Sequence, residues 1–270
     1  MGGCCEMAAM IERINVLIQY KDLLRELVVR DVKLKYRRSF LGYLWSILSP
    51  LLIMIVMTIV FSQMFDRGID NFPVYLLTGS ALFEFVNSST HMAMYSVLDN
   101  SALLKKIYVP KYIFTLAKIT SSMVDLVFSM GALLLVMLVT RAHFSLYMLL
   151  IPVVVIQIYL FACGLGFLLS AANVFFRDVQ YIYNAFTTAW MYLTPIFYPI
   201  EMLDKMEWVR WIITHLNPMY YYIQHFRDLV LYGRFTEPVI FWGGWLFSFV
   251  VLFVGLFVFK KTQDKFILYV

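Results

Sequence analysis

The sequence predicts an all-α polytopic membrane protein with six transmembrane helices. Its 270 residues are 62% hydrophobic and only 14% charged, and the mean hydropathy is +0.77. A soluble domain carries nearer a quarter of charged residues, so a water-soluble fold is strongly disfavoured. Apolar segments long enough to cross a bilayer alternate with short polar ones, which leaves no room for a large soluble domain beside the spans.

The predicted chain has two parts. Residues 1–38 form a cytoplasmic N-terminal amphipathic helix at the membrane interface, and residues 39–270 form a six-helix transmembrane domain. Between the spans lie a cytoplasmic segment at 99–112 and an external hairpin at 196–237 that is half-sunk or re-entrant. The predicted spans cover about 40–65, 73–98, 113–139, 146–176, 181–195 and 239–259.

A basic segment leads directly into the first span. Before it, Leu17, Leu24 and Val28 recur at helical spacing, which predicts an interfacial amphipathic helix, with a soluble helix docked on a partner as the alternative. The basic residues that end this helix are Arg30, Lys33, Lys35, Arg37 and Arg38. Residues 40–65 carry no charge, and these 26 residues make a helix of roughly 39 Å, enough for a hydrocarbon core of about 30 Å. Basic residues stay on the cytoplasmic side of a first span, which fixes its orientation.

A polar stripe runs along the second predicted span. Its members, Glu84, Asn87, His91 and Tyr95 among them, are spaced so that they share one helix face. Such a face normally points toward protein or a water-filled cavity, because contact with lipid is unfavourable. Hydrogen bonding between helices and lining of a pore both remain open interpretations.

The segment after this span is too polar to cross the membrane. Asn100 or Ser101 could cap a short helix through Tyr108, and Pro110 would end it. Its lysines agree with a cytoplasmic location.

The third and fourth spans carry signals of helix packing. Lys118 and Asp125 are two turns apart, about 10 Å along the axis, so they are not expected to pair with each other, and each should find a partner on another helix. Ala162, Gly166 and Ser170 form a ridge of small residues, which favours close packing over a ligand site.

The chain becomes irregular after the fifth span, which breaks before Pro195. Residues 204–215 predict one short helix, and Asn217-Pro218 is a typical cap and first turn of a second helix that ends near Tyr232. Six spans place both termini on one side. The predicted cytoplasmic segments hold 15 of the 22 Lys and Arg residues and the external segments hold six, which supports cytoplasmic N and C termini.

No catalytic or nucleotide-binding motif is present. GxxxxGK[ST], HExxH and GxSxG are all missing, and no span holds paired carboxylates at short spacing. We therefore predict no catalytic residue, no metal site and no cofactor bound by this chain, and no nucleic acid partner. The sequence shows no internal repeat, which disfavours an inverted-repeat carrier within one polypeptide.

Six sequence blocks resemble the ABC-2 type transporter permeases that export polysaccharides. In chain order they are RDVKLKYRRSFLGYLWSILSPLL, FPVYLLTGSALFEF, NSALLKKIYVPKY, NVFFRDVQYI, LTPIFYPIEML and LNPMYYYIQHFRDLVLYG. Each block alone is weak, but together they follow the order of the family and cover nearly the whole chain. The resemblance is nearest to exporters of O-antigen, a part of lipopolysaccharide, and of teichoic acid, with capsule exporters slightly further away.

The resemblance implies a homodimer in the bacterial cytoplasmic (inner) membrane, paired with two separate ABC ATPase subunits that hold ATP and Mg. The implied cargo is a polysaccharide joined through pyrophosphate to an undecaprenyl lipid. The interfacial helix and the segment 99–112 would contact the ATPase. The implied coupling residues are Asn100, Ser101, Leu103, Leu104, Lys105, Lys106, Tyr108 and Pro110.

Two groups of residues would then meet the cargo. The lipid pyrophosphate would be attracted by Arg30, Lys33, Arg37 and Arg38, because Arg forks pair well with phosphate oxygens. Membrane topology and binding of anionic membrane lipids are the alternative roles of these residues. Aromatic and polar side chains would line the path of the sugar chain, and the candidates are Phe83, Glu84, Asn87, His91, Tyr95 and Trp190.

Two other functions remain as alternatives. The first is an ABC-2 exporter of a drug or small lipid. The second is a membrane-embedded lipid-modifying transferase, which would need catalytic residues clustered at one membrane face.

Overall fold

The computed structural model describes residues 19–37, 40–62, 69, 71–106 and 109–269. Across these ranges the regular structure is helical and contains no β-strand. The helices are α1 (Lys21–Tyr36), α2 (Trp45–Ser62), α3 (Phe72–Asp99), α4 (Ser101–Leu104), α5 (Tyr112–Val139), α6 (Ile151–Phe175), α7 (Val179–Leu193), α8 (Glu207–Leu216), α9 (Pro218–Val230), α10 (Pro238–Thr262) and α11 (Phe266–Tyr269). Short 3-10 turns lie at Gly42–Leu44, Leu146–Leu150, Ile200–Leu203 and Gln263–Lys265.

Four helical stretches in the described part of the chain are long and apolar enough to cross a membrane. They are Gly42–Val60, Tyr112–Val139, Leu146–Phe175 and Pro238–Tyr269. They correspond to the first, third, fourth and sixth predicted spans. By length and composition, these stretches confirm an all-helical polytopic membrane protein.

The helices at the second and fifth predicted spans differ from those four. The 28 residues of α3 reach about 42 Å, but its polar stripe lowers the hydropathy, and α2, α5, α6 and α9 surround it. The 15 residues of α7 reach about 22 Å, less than a hydrocarbon core. The six-span topology therefore stays a prediction.

The centre of the bundle is α3, whose Leu76, Leu82 and Met94 are at most 1% exposed. The predicted ridge of small residues on α6 is buried against it. Ser170 Oγ lies 3.2 Å from Ser96 Oγ on α3, and a Cβ placed on Gly166 would lie 2.7 Å from Ile119 on α5. The packing interpretation of this ridge is confirmed, because small side chains let the three helices approach closely.

A second close approach joins α6 to α10. A Cβ placed on Gly255 would lie 2.2 Å from the carbonyl oxygen of Gly164, and a Cβ on Gly164 would lie 2.4 Å from the backbone of Val251. The two backbones therefore touch, and neither glycine has room for a side chain. The sequence pattern did not reveal this crossing, because it depends on which residues of two distant helices meet.

The N-terminal helix α1 packs beside the first half of α5. Leu27 shares a small core with Val109, Ile113 and Phe114, separate from the main core of the bundle. The placement of α1 at the membrane interface stays a prediction, and residues 1–18 of the predicted helix lie outside the described residues.

The predicted helix through the coupling segment is shorter than expected. Only the single turn α4 forms, and its N-cap residue Asn100 makes no side-chain capping bond. The Asn100 amide instead donates to the carbonyl oxygen of Ser96, at 2.8 Å. Within the described residues the helix ends at Leu104, and residues 107 and 108 of the predicted helix lie outside them.

The predicted helical pair before the last span forms as α8 and α9. Asn217 Oδ1 accepts a hydrogen bond from the backbone N–H of Met219 at 3.1 Å, which confirms the predicted cap. The observed bounds differ from the predicted ones by up to three residues at the helix ends. The re-entrant insertion of this pair stays a prediction.

Candidate functional site

The candidate site extends along α3 between two ends of the bundle. We call the end where α3 finishes and α5 begins the coupling end, because it holds the predicted coupling segment. The opposite end is where α3 begins, near Phe72. Since α3 is unbroken over its 28 residues, the two ends lie about 42 Å apart.

A buried carboxylate organises the coupling end. The Asp31 side chain on α1 is 4% exposed, and Lys118 Nζ on α5 lies 3.2 Å from its Oδ2. Arg30 Nη2 donates to Asp31 Oδ1 at 3.0 Å. Asp99, the last residue of α3, lies 3.8 Å from the same Lys118 ammonium. Opposite charges thus connect three helices.

This network reaches the predicted coupling segment through Asn100. Arg30 Nη2 donates to Asn100 Oδ1 at 3.4 Å, and the Asn100 amide holds the last turn of α3. We call Arg30, Asp31, Asp99, Asn100 and Lys118 the coupling-end network. A shift of the segment after α3 would change contacts with α1 and α5 together.

A second ion pair lies further along α5. Lys35 Nζ, in the last turn of α1, donates to Asp125 Oδ2 at 2.8 Å, and Ser46 Oγ lies 3.4 Å from Asp125 Oδ1. The prediction that Lys118 and Asp125 pair with other helices is therefore confirmed. The nearest charged partner of each, Asp31 for Lys118 and Lys35 for Asp125, is on α1, although no sequence pattern indicated which helix supplies it.

The four residues predicted to meet a lipid pyrophosphate are in different surroundings. Arg30 is engaged by Asp31 and Asn100, whereas Lys33 and Arg37 are exposed. Arg38 lies outside the described residues. The role of these four residues toward pyrophosphate stays a prediction.

The predicted coupling residues form a small surface at the coupling end. Lys105 and Lys106 are exposed, whereas Leu103 and Leu104 are half-buried against the core. Ser101 and Pro110 are also half-buried, and Tyr108 lies outside the described residues.

The C-terminal helix packs against this surface. Lys111 Nζ donates to the carbonyl oxygen of Gln263 and lies 5.6 Å from the centre of the Phe266 ring. Burial lowers the pKa of Lys111 from its ordinary value. A small apolar groove lies between Leu104 and Ile267. The coupling end thus contains parts of the N-terminal helix, the predicted coupling segment and the C terminus.

The polar stripe of α3 contacts α7. Tyr95 O–H donates to Gln180 Oε1 at 2.5 Å, and the rings of His91 and Tyr183 meet edge to face at 5.1 Å. Thr90 Oγ1 lies 2.7 Å from the Tyr183 hydroxyl. The stripe therefore makes hydrogen bonds between helices, which was one of the two interpretations.

The predicted lining residues divide by burial within this chain. Phe83 and Trp190 are 5% and 9% exposed and pack edge to face at 5.7 Å. Glu84 and Tyr95 are exposed, and Asn87 and His91 are half-buried. A pore-lining role stays a prediction for all six.

The outer face of α7 is aromatic and uncovered within this chain. Tyr181 and Tyr192 are 68% and 63% exposed, and Phe186, at 54% exposed, lies at the edge of this face against Tyr183 and Trp190. The opposite face of α7 packs on α3. An exposed aromatic face of this kind can contact lipid, cargo or a second subunit.

A polar cavity of about 430 Å³ lies at the opposite end of the bundle. It is built from the starts of α3 and α10, the segment after α7, and both helices of the hairpin. Its lining includes Glu201, Arg210, Tyr220, Gln224, Arg227 and Tyr232.

Arg227 is the most unusual residue of the cavity wall. It is 2% exposed, and its Nη atoms donate to the carbonyl oxygens of Pro195, Ile196 and Tyr75 at 2.8, 3.2 and 3.3 Å. Its guanidinium carbon lies 3.4 Å from the centre of the Tyr75 ring. Its Nε has no hydrogen-bond partner. Sequence reasoning did not single out Arg227, because it lies in a polar stretch with Gln224, His225 and Asp228 that gives no signal of burial.

A neighbouring ion pair supports the same end of α9. Arg234 donates to Asp228 Oδ1 at 3.0 Å, and Gln224 donates to the same oxygen at 3.3 Å. Burial raises the pKa of Asp228, and the hydrogen bond with Arg234 opposes that rise. Among the described residues, no group of three or more His, Cys, Asp or Glu side chains could hold a metal ion.

Comparisons with known proteins find a family and several relatives that match most of the chain. The family model described as ABC-2 type transporter matches residues 22–231. The O-antigen export system permease protein RfbA of Myxococcus xanthus is 28% identical over 95% of this chain and 98% of the relative. RfbA of Klebsiella pneumoniae is 29% identical over 91% of this chain and 93% of the relative. The polysialic acid transport protein KpsM of Escherichia coli is 23% identical over 90% of this chain and 95% of the relative.

Proposed function

The chain belongs to the ABC-2 type transporter family. We propose that it is the permease subunit of an ATP-driven polysaccharide exporter. The proposed cargo is an undecaprenyl-pyrophosphate-linked polysaccharide of O-antigen or teichoic acid type. The observation that carries this proposal is the nearly end-to-end match to O-antigen export permeases, 95% of this chain and 98% of one relative. The proposed location is the bacterial cytoplasmic (inner) membrane, with both termini cytoplasmic.

Two ABC ATPase subunits are the proposed source of energy. The chain has no P-loop motif, so ATP and Mg would be held by those partners. The coupling end supports this arrangement, because exposed Lys105 and Lys106 stand beside a network that joins α1, α3 and α5. A partner bound there would contact residues whose movement would shift the positions of α1, α3 and α5.

A second copy of the chain is the proposed partner within the membrane. Only 6% of the first apolar stretch, Gly42–Val60, is buried within one chain. The outer face of α7 is also uncovered, and its aromatic residues would face a path between two subunits. Aromatic rings on such a path could stack on the apolar faces of sugar rings.

Deletion of the gene tests the proposed function. We expect surface polysaccharide to disappear and lipid-linked polymer to accumulate inside the cell, as measured by labelling of surface glycans and extraction of lipid-linked sugars. Membranes carrying the chain with its ATPase should hydrolyse ATP. Unchanged surface polysaccharide would contradict the proposal and favour export of a drug or small lipid, whereas activity on lipids without any ATPase would favour a transferase.

Charge reversal at the coupling end should uncouple the ATPase from export. In the double variant Lys105→Glu, Lys106→Glu we expect export to fall at least about tenfold, because each reversal replaces attraction to the partner by repulsion. The amount of permease in the membrane should not change, since both side chains are exposed. Export is measured as surface polysaccharide and coupling as the ATPase pulled down with the permease.

Arg141 and Lys205 provide a matched control for that variant. They are exposed basic residues at the opposite end of the bundle, Arg141 after the end of α5 and Lys205 before α8. Arg141→Glu, Lys205→Glu should leave export nearly unchanged. Equal loss in both double variants would show a general effect of charge and would contradict the coupling assignment.

A further inference from the structure

The cavity at the opposite end combines aromatic rings with flat polar side chains. Tyr220 is half-buried and Tyr232 is 51% exposed, so each presents ring surface at the wall. Gln224, Glu201 and Arg210 add amide, carboxylate and guanidinium groups to the same wall. Its volume of about 430 Å³ lies within the range of small-molecule sites, about 300–1,000 Å³.

The Arg227 side chain in the cavity wall is held in place by the protein alone. Three backbone carbonyl oxygens and the Tyr75 ring fix its guanidinium, and no carboxylate pairs with it among the described residues. Its Nε is buried without a hydrogen-bond partner. A buried donor left unpaired is unfavourable by about 1–3 kcal/mol, so a ligand oxygen or an ordered water that reached it would be favoured.

The charges of the cavity favour an uncharged ligand. Three arginines line it, and three carboxylates balance them. These six residues are Arg210, Arg227, Arg234, Glu201, Asp228 and Glu237. A phosphate site normally has an excess of basic groups, whereas a balanced set offers both donors and acceptors to hydroxyl groups. A sugar ring has such hydroxyl groups, together with apolar C–H faces that stack on tyrosine rings.

We propose that this cavity is a binding site for uncharged sugar rings of the exported polymer. This proposal rests on the proposed function and adds a location to it. Because Tyr75 in the cavity wall lies about 36 Å along α3 from Asp99 at the coupling end, sugars bound there have already passed most of the bundle. The site would therefore hold the chain on the exit side and oppose its return.

Binding to purified protein tests the cavity independently of export. The probe is a mixture of short fragments released by acid hydrolysis from the surface polysaccharide of the same cells. Saturation-transfer NMR on the permease in lipid nanodiscs should show signals from the sugar ring protons. Tyr220→Ala, Tyr232→Ala should weaken fragment binding at least about fivefold, because it removes both stacking surfaces.

A control variant, a second cavity variant and a competitor show whether the fragments bind in the cavity. Tyr269→Ala removes an equally exposed tyrosine at the coupling end, 54% exposed against 51% for Tyr232, and should leave fragment binding unchanged. Gln224→Leu removes a polar contact without removing a ring and should also weaken binding. It tests the cavity even if the double tyrosine variant fails to fold. Inorganic pyrophosphate at equal concentration should not displace the fragments.

Several results would overturn the proposal. These are no fragment signal, equal binding in wild type and the cavity variants, or displacement by pyrophosphate. The deletion experiment is independent of all three. Loss of surface polysaccharide on deletion, together with no binding in the cavity, would leave the exporter proposal standing and remove only the cavity proposal.

Discussion

Replacing Gly255 with valine should strongly destabilise the folded permease and lower its yield. A Cβ at this position would lie 2.2 Å from the carbonyl oxygen of Gly164 and 2.8 Å from its carbonyl carbon. Both atoms are backbone, so no side-chain rotation can relieve the contact and the two helices must separate. Overpacking costs about 1–3 kcal/mol where side chains can adjust, and more is expected here.

The measurement is the yield of monodisperse protein in detergent and its Tm. We expect Gly255→Val to lower Tm by about 10 °C or more, with Gly255→Ala intermediate. Gly131→Val on α5 is the matched control, because a Cβ there meets nothing within 4 Å. A Tm for Gly255→Val equal to that of the control would show that α6 and α10 do not cross at these glycines.

Replacing Asp31 with leucine should release α1 from the bundle. The carboxylate is 4% exposed and faces both Lys118 and Arg30, so its removal leaves Lys118, itself 14% exposed, with only Asp99 at 3.8 Å. Removing one partner of a buried ion pair costs about 3–5 kcal/mol. We expect a lower Tm and faster proteolysis within α1.

A double variant separates the charge from the packing. Asp31→Leu with Lys118→Met removes both charges, and apolar replacement of a buried pair is often neutral, so Tm should recover. Asp22→Leu is the control, since Asp22 lies exposed in the first turn of α1. If Asp31→Leu behaves as Asp22→Leu does, the coupling-end network does not hold α1.

The long helices were predictable because their signal is local. An uninterrupted apolar run fixes a span from composition and length, and α5 and α6 begin and end within a few residues of the predicted limits. The Asn217 cap was predictable for the same reason, since the accepting side chain of Asn217 and the donating N–H of Met219 are two residues apart. The coupling helix was not, because Asn100 turns its amide back to Ser96 instead of capping α4.

The cavity and the coupling-end network could not be predicted, because they join distant parts of the chain. Arg227 is held by carbonyl groups of Tyr75 and Pro195, which are 152 and 32 positions away in sequence. Asp31 meets Lys118 only because α1 packs along α5. Neither pairing has a periodic pattern, and both depend on the tertiary arrangement of the helices.

The continuity of α3 has a consequence for the timing of transport. Its interior contains no proline after Pro73, and its Gly79-Ser80 pair, the other kind of site where a helix can kink, lies beside the cavity and not between it and Asn100. At its far end, Gly79 approaches Arg227 so closely that a Cβ would lie 2.9 Å from Nη2. A displacement at Asn100 would therefore reach the wall of the cavity without an intermediate step. A movement driven by the ATPase and a change in how tightly the cavity binds the polymer would then occur together, with one rate.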